Sequence, residues 1–197
     1  MILPLLAVVL AYLIGGIPFG YLFVRLRTGR DVRGLGSGNT GATNVLRTSG
    51  RGLAVGVLLL DIAKGYFAVW LAGRLTGGSI FWISFAAAAV MLGHCYPVFL
   101  KFKGGKAVAS FIGAFLYVAP IPLMAVLLLF VIVVAETKYI SLGSIVAAAL
   151  LPLAVWMIQH PPSPILLVSM FAAFLIVYRH KSNLQRIRAG SESVFRF

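Results

Sequence analysis

Ala119-Pro120-Ile121-Pro122 separates two apolar runs, residues 107–118 and 122–135, and its reading fixes the fold. Taken as the middle of one helix it gives a single kinked span; taken as a turn it gives two short ones. Proline removes a backbone donor and clashes with the preceding helical turn, so two prolines in four residues, with no charge nearby, favour a tight hairpin. The basic residues test the choice. With the hairpin, Arg25, Arg27, Arg30, Arg33, Arg47 and Arg51, then Lys101, Lys103 and Lys106, then Lys138, then Arg179, Lys181, Arg186, Arg188 and Arg196 all fall on one side, 15 of the 17 Lys and Arg residues. Without it, the last two groups cross to the other side. Cytoplasmic loops carry the excess of Lys and Arg. The hairpin reading therefore predicts seven transmembrane helices, with the N-terminus outside and the C-terminus cytoplasmic.

Outward from that turn, length places the other spans, since about 20 helical residues cross the hydrocarbon core. They are expected at 3–24, 53–72, 80–100, 107–118, 122–135, 140–158 and 164–178. Hydrophobic residues make up 61% of the chain and charged ones 11%, against about 25% charged in soluble domains. That excludes a soluble globular protein. The pattern is all-α and polytopic, and with neither a repeat nor a long linker it reads as a single membrane-embedded domain over 1–197. The first apolar segment ends in Arg25 and Arg27 without a cleavage-site pattern and is expected to be a retained span, not a signal peptide. A net charge of +13 in so apolar a chain points to lipid headgroups or anionic substrates and not to nucleic acid. Cys95 is the only cysteine, which excludes an internal disulfide.

The polar motifs all fall at the cytoplasmic ends of the predicted spans. The first is Gly36-Ser-Gly-Asn-Thr-Gly-Ala-Thr-Asn-Val-Leu-Arg47. Gly36, Gly38 and Gly41 satisfy a dinucleotide fingerprint, but that fingerprint needs a strand and a βαβ unit, which membrane helices do not provide. What remains is a phosphate loop: glycines leave backbone N–H groups free to face an anion. Ser37, Asn39, Thr43 and Asn44 add donors, and Arg47 can clamp phosphate bidentately.

The second motif runs from Gly93-His94 to Lys101-Phe-Lys-Gly104-Gly105-Lys106. A Walker A loop needs Gly at 100 and Ser or Thr at 107, and the chain has Leu100 and Ala107, so nucleotide hydrolysis of that kind is not supported. Gly104 and Gly105 are expected to open the fourth helix with Lys106 in its first turn, a second anion site. The third is Ser141-Leu-Gly-Ser144, with its serines one turn apart. In the fourth, Arg179-His180-Lys-Ser-Asn183 leads to Arg186 and Glu192, and Leu184 with Ile187 suggests a short helix on the interface. Asp61 and Lys64, three apart in an apolar span, are expected to neutralise each other or face the bundle interior. The four carboxylates are scattered and the three histidines form no ligand pattern, so neither metal nor cofactor is expected. No histidine has aspartate four residues later, as the soluble-headed glycerolipid acyltransferases do.

Together these four motifs, in order along nearly the whole chain, resemble the bacterial acyl-phosphate:glycerol-3-phosphate acyltransferases. The resemblance implies a seven-helix inner-membrane enzyme with its site facing the cytoplasm. It would transfer a fatty acyl group from acyl phosphate to the sn-1 hydroxyl of glycerol-3-phosphate, giving lysophosphatidic acid and phosphate, the first step of phospholipid synthesis. Its partners would be the two substrates and membrane lipid, with no obligate protein partner evident. Ser37, Arg47, Lys106, His180 and Asn183 are then the candidate catalytic residues. Gly36, Gly38, Asn39, Thr40, Gly41, Thr43, Asn44, Gly104, Gly105, Ser141, Ser144 and Glu192 are the candidate substrate-binding residues. On this reading the first loop and Arg47 hold the acyl phosphate, while Lys106, Ser144, His180 and Asn183 orient glycerol-3-phosphate. The base is either His180 or a phosphate oxygen of the substrate. A transporter of an anionic metabolite is the main alternative; the odd span count and the absence of repeated halves weigh against it. A non-catalytic scaffold with basic loops for anionic lipid is a third class.

Overall fold

The computed structural model describes residues 2–195; Arg196, one of the predicted tail charges, lies outside them. Every regular element among the described residues is helical. Five stretches are long and apolar enough to cross a membrane: Ile2–Thr28, Arg51–Leu75, Ile80–Leu100, Pro120–Thr137 and Ile140–Gln159. Ser163–Arg179 and Lys181–Arg188, bent by 53°, make a sixth when taken as one span. The remaining apolar helix, α6 (Val108–Val118), has 11 residues, about 16 Å of rise, against about 30 Å of hydrocarbon.

The helix is interrupted at this stretch, over fewer residues than expected. Helix α6 stops at Val118 and α7 (Pro120–Thr137) starts two residues on, with Ala119 between them at φ −149°, ψ 66°. The expected start was residue 122, but both prolines sit in the first turn of α7, where an absent N–H leaves no intrahelical bond unmade.

Contacts divide the chain into two compact units, the first ending at Tyr117 and the second beginning at Val118. In the first, the predicted span 3–24 is two helices, α1 (Ile2–Gly16) and α2 (Phe19–Thr28), interrupted at Ile17-Pro18. Helices α3 (Ala42–Ser49), α4 (Arg51–Leu75), α5 (Ile80–Cys95) and α6 follow. Helix α1 packs on α4 and α5. The approach to α5 is backbone to backbone: a Cβ on Gly15 would lie 2.1 Å from the Val90 carbonyl oxygen. Such small-residue contacts replace the hydrophobic drive that helices lack in lipid. Asp61 and Lys64 pair at 2.6 Å inside this unit, both buried, as their spacing demands. Leu5, Val9, Phe67, Trp70 and Phe85 are exposed, an outward apolar surface suited to lipid and not to water.

In the second unit α8 (Ile140–Gln159) packs against both α7 and α9 (Ser163–Arg179). Ala147, Ala148, Leu151 and Val155 are buried along α8. At His180 the chain bends from α9 into α10 (Lys181–Arg188), the short amphipathic helix expected from Leu184 and Ile187.

Candidate active site

Residues 36–47 form a defined structure, and Asn44 is its centre. The Asn44 amide nitrogen donates to the carbonyls of Val32 (3.3 Å), Leu35 (3.0 Å) and Asn39 (2.8 Å), while its oxygen accepts from the Ser37 N–H at 2.8 Å. Only 2% of it is exposed. The sequence reading made Asn44 a donor to the ligand; the structure shows its amide committed to the loop's own backbone, because Val45 on the same short helix docks into a core with Val24, Val32 and Val57 and turns Asn44 inward. Asn39 accepts from the Gly41 N–H at 2.8 Å, a local turn that sets up the start of α3. Gly36 is required twice over: its φ is +56°, and a Cβ there would lie 2.4 Å from Asn44 Oδ1. Gly38 also has positive φ, at +71°. Thr40 is buried, and Gly41 and Thr43 are half-buried. What the loop turns outward is Ser37 and Arg47, both exposed.

Ahead of the loop, Asp31 pairs with Arg33 at 2.6 Å. The Arg33 hydrogen bonds and charge hold the Asp31 carboxyl below its ordinary range, against a smaller opposing push from burial. The Arg33 guanidinium also lies 5.3 Å from the Tyr21 ring centre, within cation–π range.

The second motif departs from its expected form. Gly104 and Gly105 do not open a helix; their N–H groups donate back to the carbonyls of Cys95 (3.2 Å) and His94 (3.0 Å) at the end of α5. Lys106 precedes α6 instead of lying in its first turn, and Ala107 joins them at φ +62°. Lys101 and Phe102 are also left-handed, at φ +53° and +62°. The tight return onto α5 takes up the amides that the sequence reading had assigned to an anion. Lys106 itself is half-buried.

In the second unit Glu192 is the organising group. Ser141 Oγ (2.9 Å) and Asn183 Nδ2 (2.6 Å) donate to its Oε1, and Arg186 Nε donates to Oε2 at 2.7 Å. Burial pushes the Glu192 carboxyl up, but the bonds from Asn183, Arg186 and Ser141, with the Arg186 charge, outweigh it and hold the group below the usual glutamate range. A buried carboxylate with three donors is a tie between α8 and α10. Expected among the substrate-binding residues, Glu192 has both carboxylate oxygens bonded to neighbouring side chains. Phe195 N–H donates to the Lys138 carbonyl at 2.8 Å, adding a second tie. Ser144 Oγ bonds the Ile140 carbonyl one turn back at 2.8 Å. His180 Nδ1 lies 2.8 Å from the Ile176 carbonyl; since a carbonyl only accepts, Nδ1 carries the hydrogen, and Nε2 is the basic nitrogen of the neutral ring.

Motif reading gave no individual role to Asp31, His94 or Ser110. The signal for His94 was its place at the end of an apolar helix ahead of a Gly-Gly pair, which needs a close partner. Among the described residues no group of three or more His, Cys, Asp and Glu side chains is arranged to hold a metal.

These features define a polytopic helical membrane protein whose polar, glycine-rich and basic segments gather at helix ends. More narrowly, the chain belongs to the family described as glycerol-3-phosphate acyltransferase, whose family model matches residues 5–190. It is 46% identical over 185 residues to the glycerol-3-phosphate acyltransferase of Syntrophomonas wolfei, covering 94% of this chain and 93% of that one. It is 44% identical to that of Geobacter sulfurreducens, over the full length of both. Its fold is similar to the crystal structure of PlsY (YgiH), an integral membrane glycerol 3-phosphate acyltransferase, in its glycerol 3-phosphate form. There the TM-score is 0.92 at 37% identity, over 98% of this chain and 96% of that one. The lysophosphatidic acid form of the same protein matches with a TM-score of 0.89 at 36% identity, over 98% and 95%.

Proposed function

We propose that this chain is a membrane glycerol-3-phosphate acyltransferase that takes its acyl group from acyl phosphate and releases lysophosphatidic acid and inorganic phosphate. The observation that carries the reading is the loop at residues 36–47, where a backbone fixed by Asn44 leaves the Ser37 hydroxyl and the Arg47 guanidinium facing out. A planar guanidinium beside a preformed loop suits a phosphate with two oxygens to offer. Acyl phosphate is a mixed anhydride. The sn-1 hydroxyl oxygen bonds to its carbonyl carbon, the carbon–oxygen bond to phosphate breaks, and phosphate leaves with the electron pair. Arg47 and Ser37 stabilise that departing charge. In the first unit, Lys106 draws in the phosphate of glycerol-3-phosphate. The hydroxyl proton passes either to Nε2 of His180 or to a substrate phosphate oxygen, whose second pKa near 6 makes it basic enough.

The same reading carries the topology: seven spans with α6 as a short one, a cytoplasmic C-terminus, and both loops on the cytoplasmic face of the inner membrane. Its support is the one-sided distribution of Lys and Arg. The test is to mix purified protein with acyl phosphate and radiolabelled glycerol-3-phosphate, with and without EDTA. Labelled lysophosphatidic acid in both arms is expected. Folded protein that makes none overturns the enzyme reading, and product lost only with EDTA overturns a metal-free mechanism.

A further inference from the structure

Lys106 sits in a stretch whose backbone is held against its own preference. A non-glycine residue in the left-handed region brings its Cβ against the following carbonyl oxygen, and Ala107 is one, directly after the lysine. Such a conformation persists only where the surroundings over-determine it. The surroundings here are His94, at the last turn of α5 and only 7% exposed. Its carbonyl accepts the Gly105 N–H at 3.0 Å. Its imidazole lies beneath the same residue: a Cβ on Gly105 would stand 2.1 Å from Nε2, and the three nearest atoms all belong to that ring. On the far side of Lys106, Nδ1 shares a 3.1 Å hydrogen bond with Ser110 Oγ, in the first turn of α6. One ring thus grips the chain immediately before and four residues after the lysine.

The ring is itself braced. Nδ1 lies 3.7 Å from Asp61 Oδ1, which is 2.6 Å from Lys64 Nζ. Lys64 in turn donates to the Ile17 carbonyl at 2.8 Å, in the break between α1 and α2. Three residues on, Gly20 abuts the phosphate loop so closely that a Cβ would fall 1.9 Å from the Thr40 carbonyl oxygen. Thr40, Asp61, Lys64 and His94 line a common cavity.

We infer that His94 is a positioning residue for Lys106, setting where the ammonium meets glycerol-3-phosphate, and that Asp61 and Lys64 brace it against the break in the first span. This rests on the acyltransferase reading above. A histidine that merely filled space would leave substrate affinities in proportion when removed; one that aims Lys106 changes one substrate and not the other.

The test is steady-state kinetics on the full-length protein with both substrates varied, together with calorimetric binding of glycerol-3-phosphate. For His94→Ala we expect KM and Kd for glycerol-3-phosphate to rise roughly ten- to a hundredfold, the range in which small misplacements of reacting groups are felt. KM for acyl phosphate should hold. His94→Asn, which can return a polar atom near Nδ1, should recover part of the loss. Gly105→Ala should be damaging alone yet add little to His94→Ala, because the ring it collides with is gone. A parallel change in both KM values, an unchanged Kd, or additive effects of the two substitutions would overturn the inference. His94→Asn and the Gly105→Ala single variant still report should His94→Ala not fold. An inactive wild type instead overturns the acyltransferase reading, while the binding arm continues to read Lys106.

Discussion

Asn44 and Glu192 each sit buried at the centre of a polar knot, and the two knots are made of different material. Asn44 is neutral, and its side-chain amide bonds backbone groups within 12 residues of itself. Glu192 is charged and collects side chains, one of them 51 residues away. A backbone-filled amide fixes a shape that neither pH nor salt reaches. A carboxylate gathering Ser, Asn and Arg fixes an attachment that lasts only while it is ionised. The loop at residues 36–47 is thus built to be invariant, and the tail is built to be conditional.

The hardest blow to this contrast is Asn44→Asp, isosteric but unable to donate to three carbonyls. It should lower stability by about 3 kcal/mol or more, since buried polar groups lose partners and a charge is introduced, and it should abolish turnover. Thermal unfolding in detergent with a parallel activity assay reads both; a variant of near-native stability would show that the loop does not depend on its amide. Next is Glu192→Gln, expected to cost about 1–3 kcal/mol through the lost charged hydrogen bonds. Because the native Glu192 carboxyl is held below its ordinary value, its contribution is complete above about pH 4.3 and lost as pH falls through the lowered value. Wild-type stability should therefore decline in acid more steeply than that of Glu192→Gln, and parallel melting curves from pH 7 to pH 3 would disprove the charged knot. Arg47→Lys keeps the charge without the fork and should lower kcat about tenfold, about 1.4 kcal/mol of barrier, with an unchanged melting temperature. Near-normal turnover would remove Arg47 as the clamp. Smallest is Asp31→Asn, whose ion pair with Arg33 is about a third exposed; it should shift stability by less than about 0.5 kcal/mol.

The parts of the fold that were legible in the sequence were those with a single physical solution. Asp61 and Lys64, three apart in an apolar helix, had to neutralise each other or turn inward, and they do both. The prolines at 120 and 122 favoured a break, and α6 ends at Val118 with both prolines in the first turn of α7. What could not be read was direction. Asn44 looks like a ligand donor until Val45 is seen docked in the core, which turns the amide onto its own loop. Gly104 and Gly105 look like a helix opening, yet their amides return to α5, because that choice depends on His94, ten residues earlier in sequence. The break at Pro18 was hidden for a related reason: apolar residues continue on both sides, and the group satisfying the Ile17 carbonyl comes from α4.

The bond from Ser141 to Glu192 spans 51 residues, and α9 and most of α8 lie between its ends. It has no way to form until those helices have been inserted and brought alongside one another, so in the folding history of the second unit it belongs to the closing steps, as pairings of long sequence separation generally do. The tail then serves as a seal: hydrogen exchange or protease resistance around residues 189–195 would report whether a given molecule has completed its assembly.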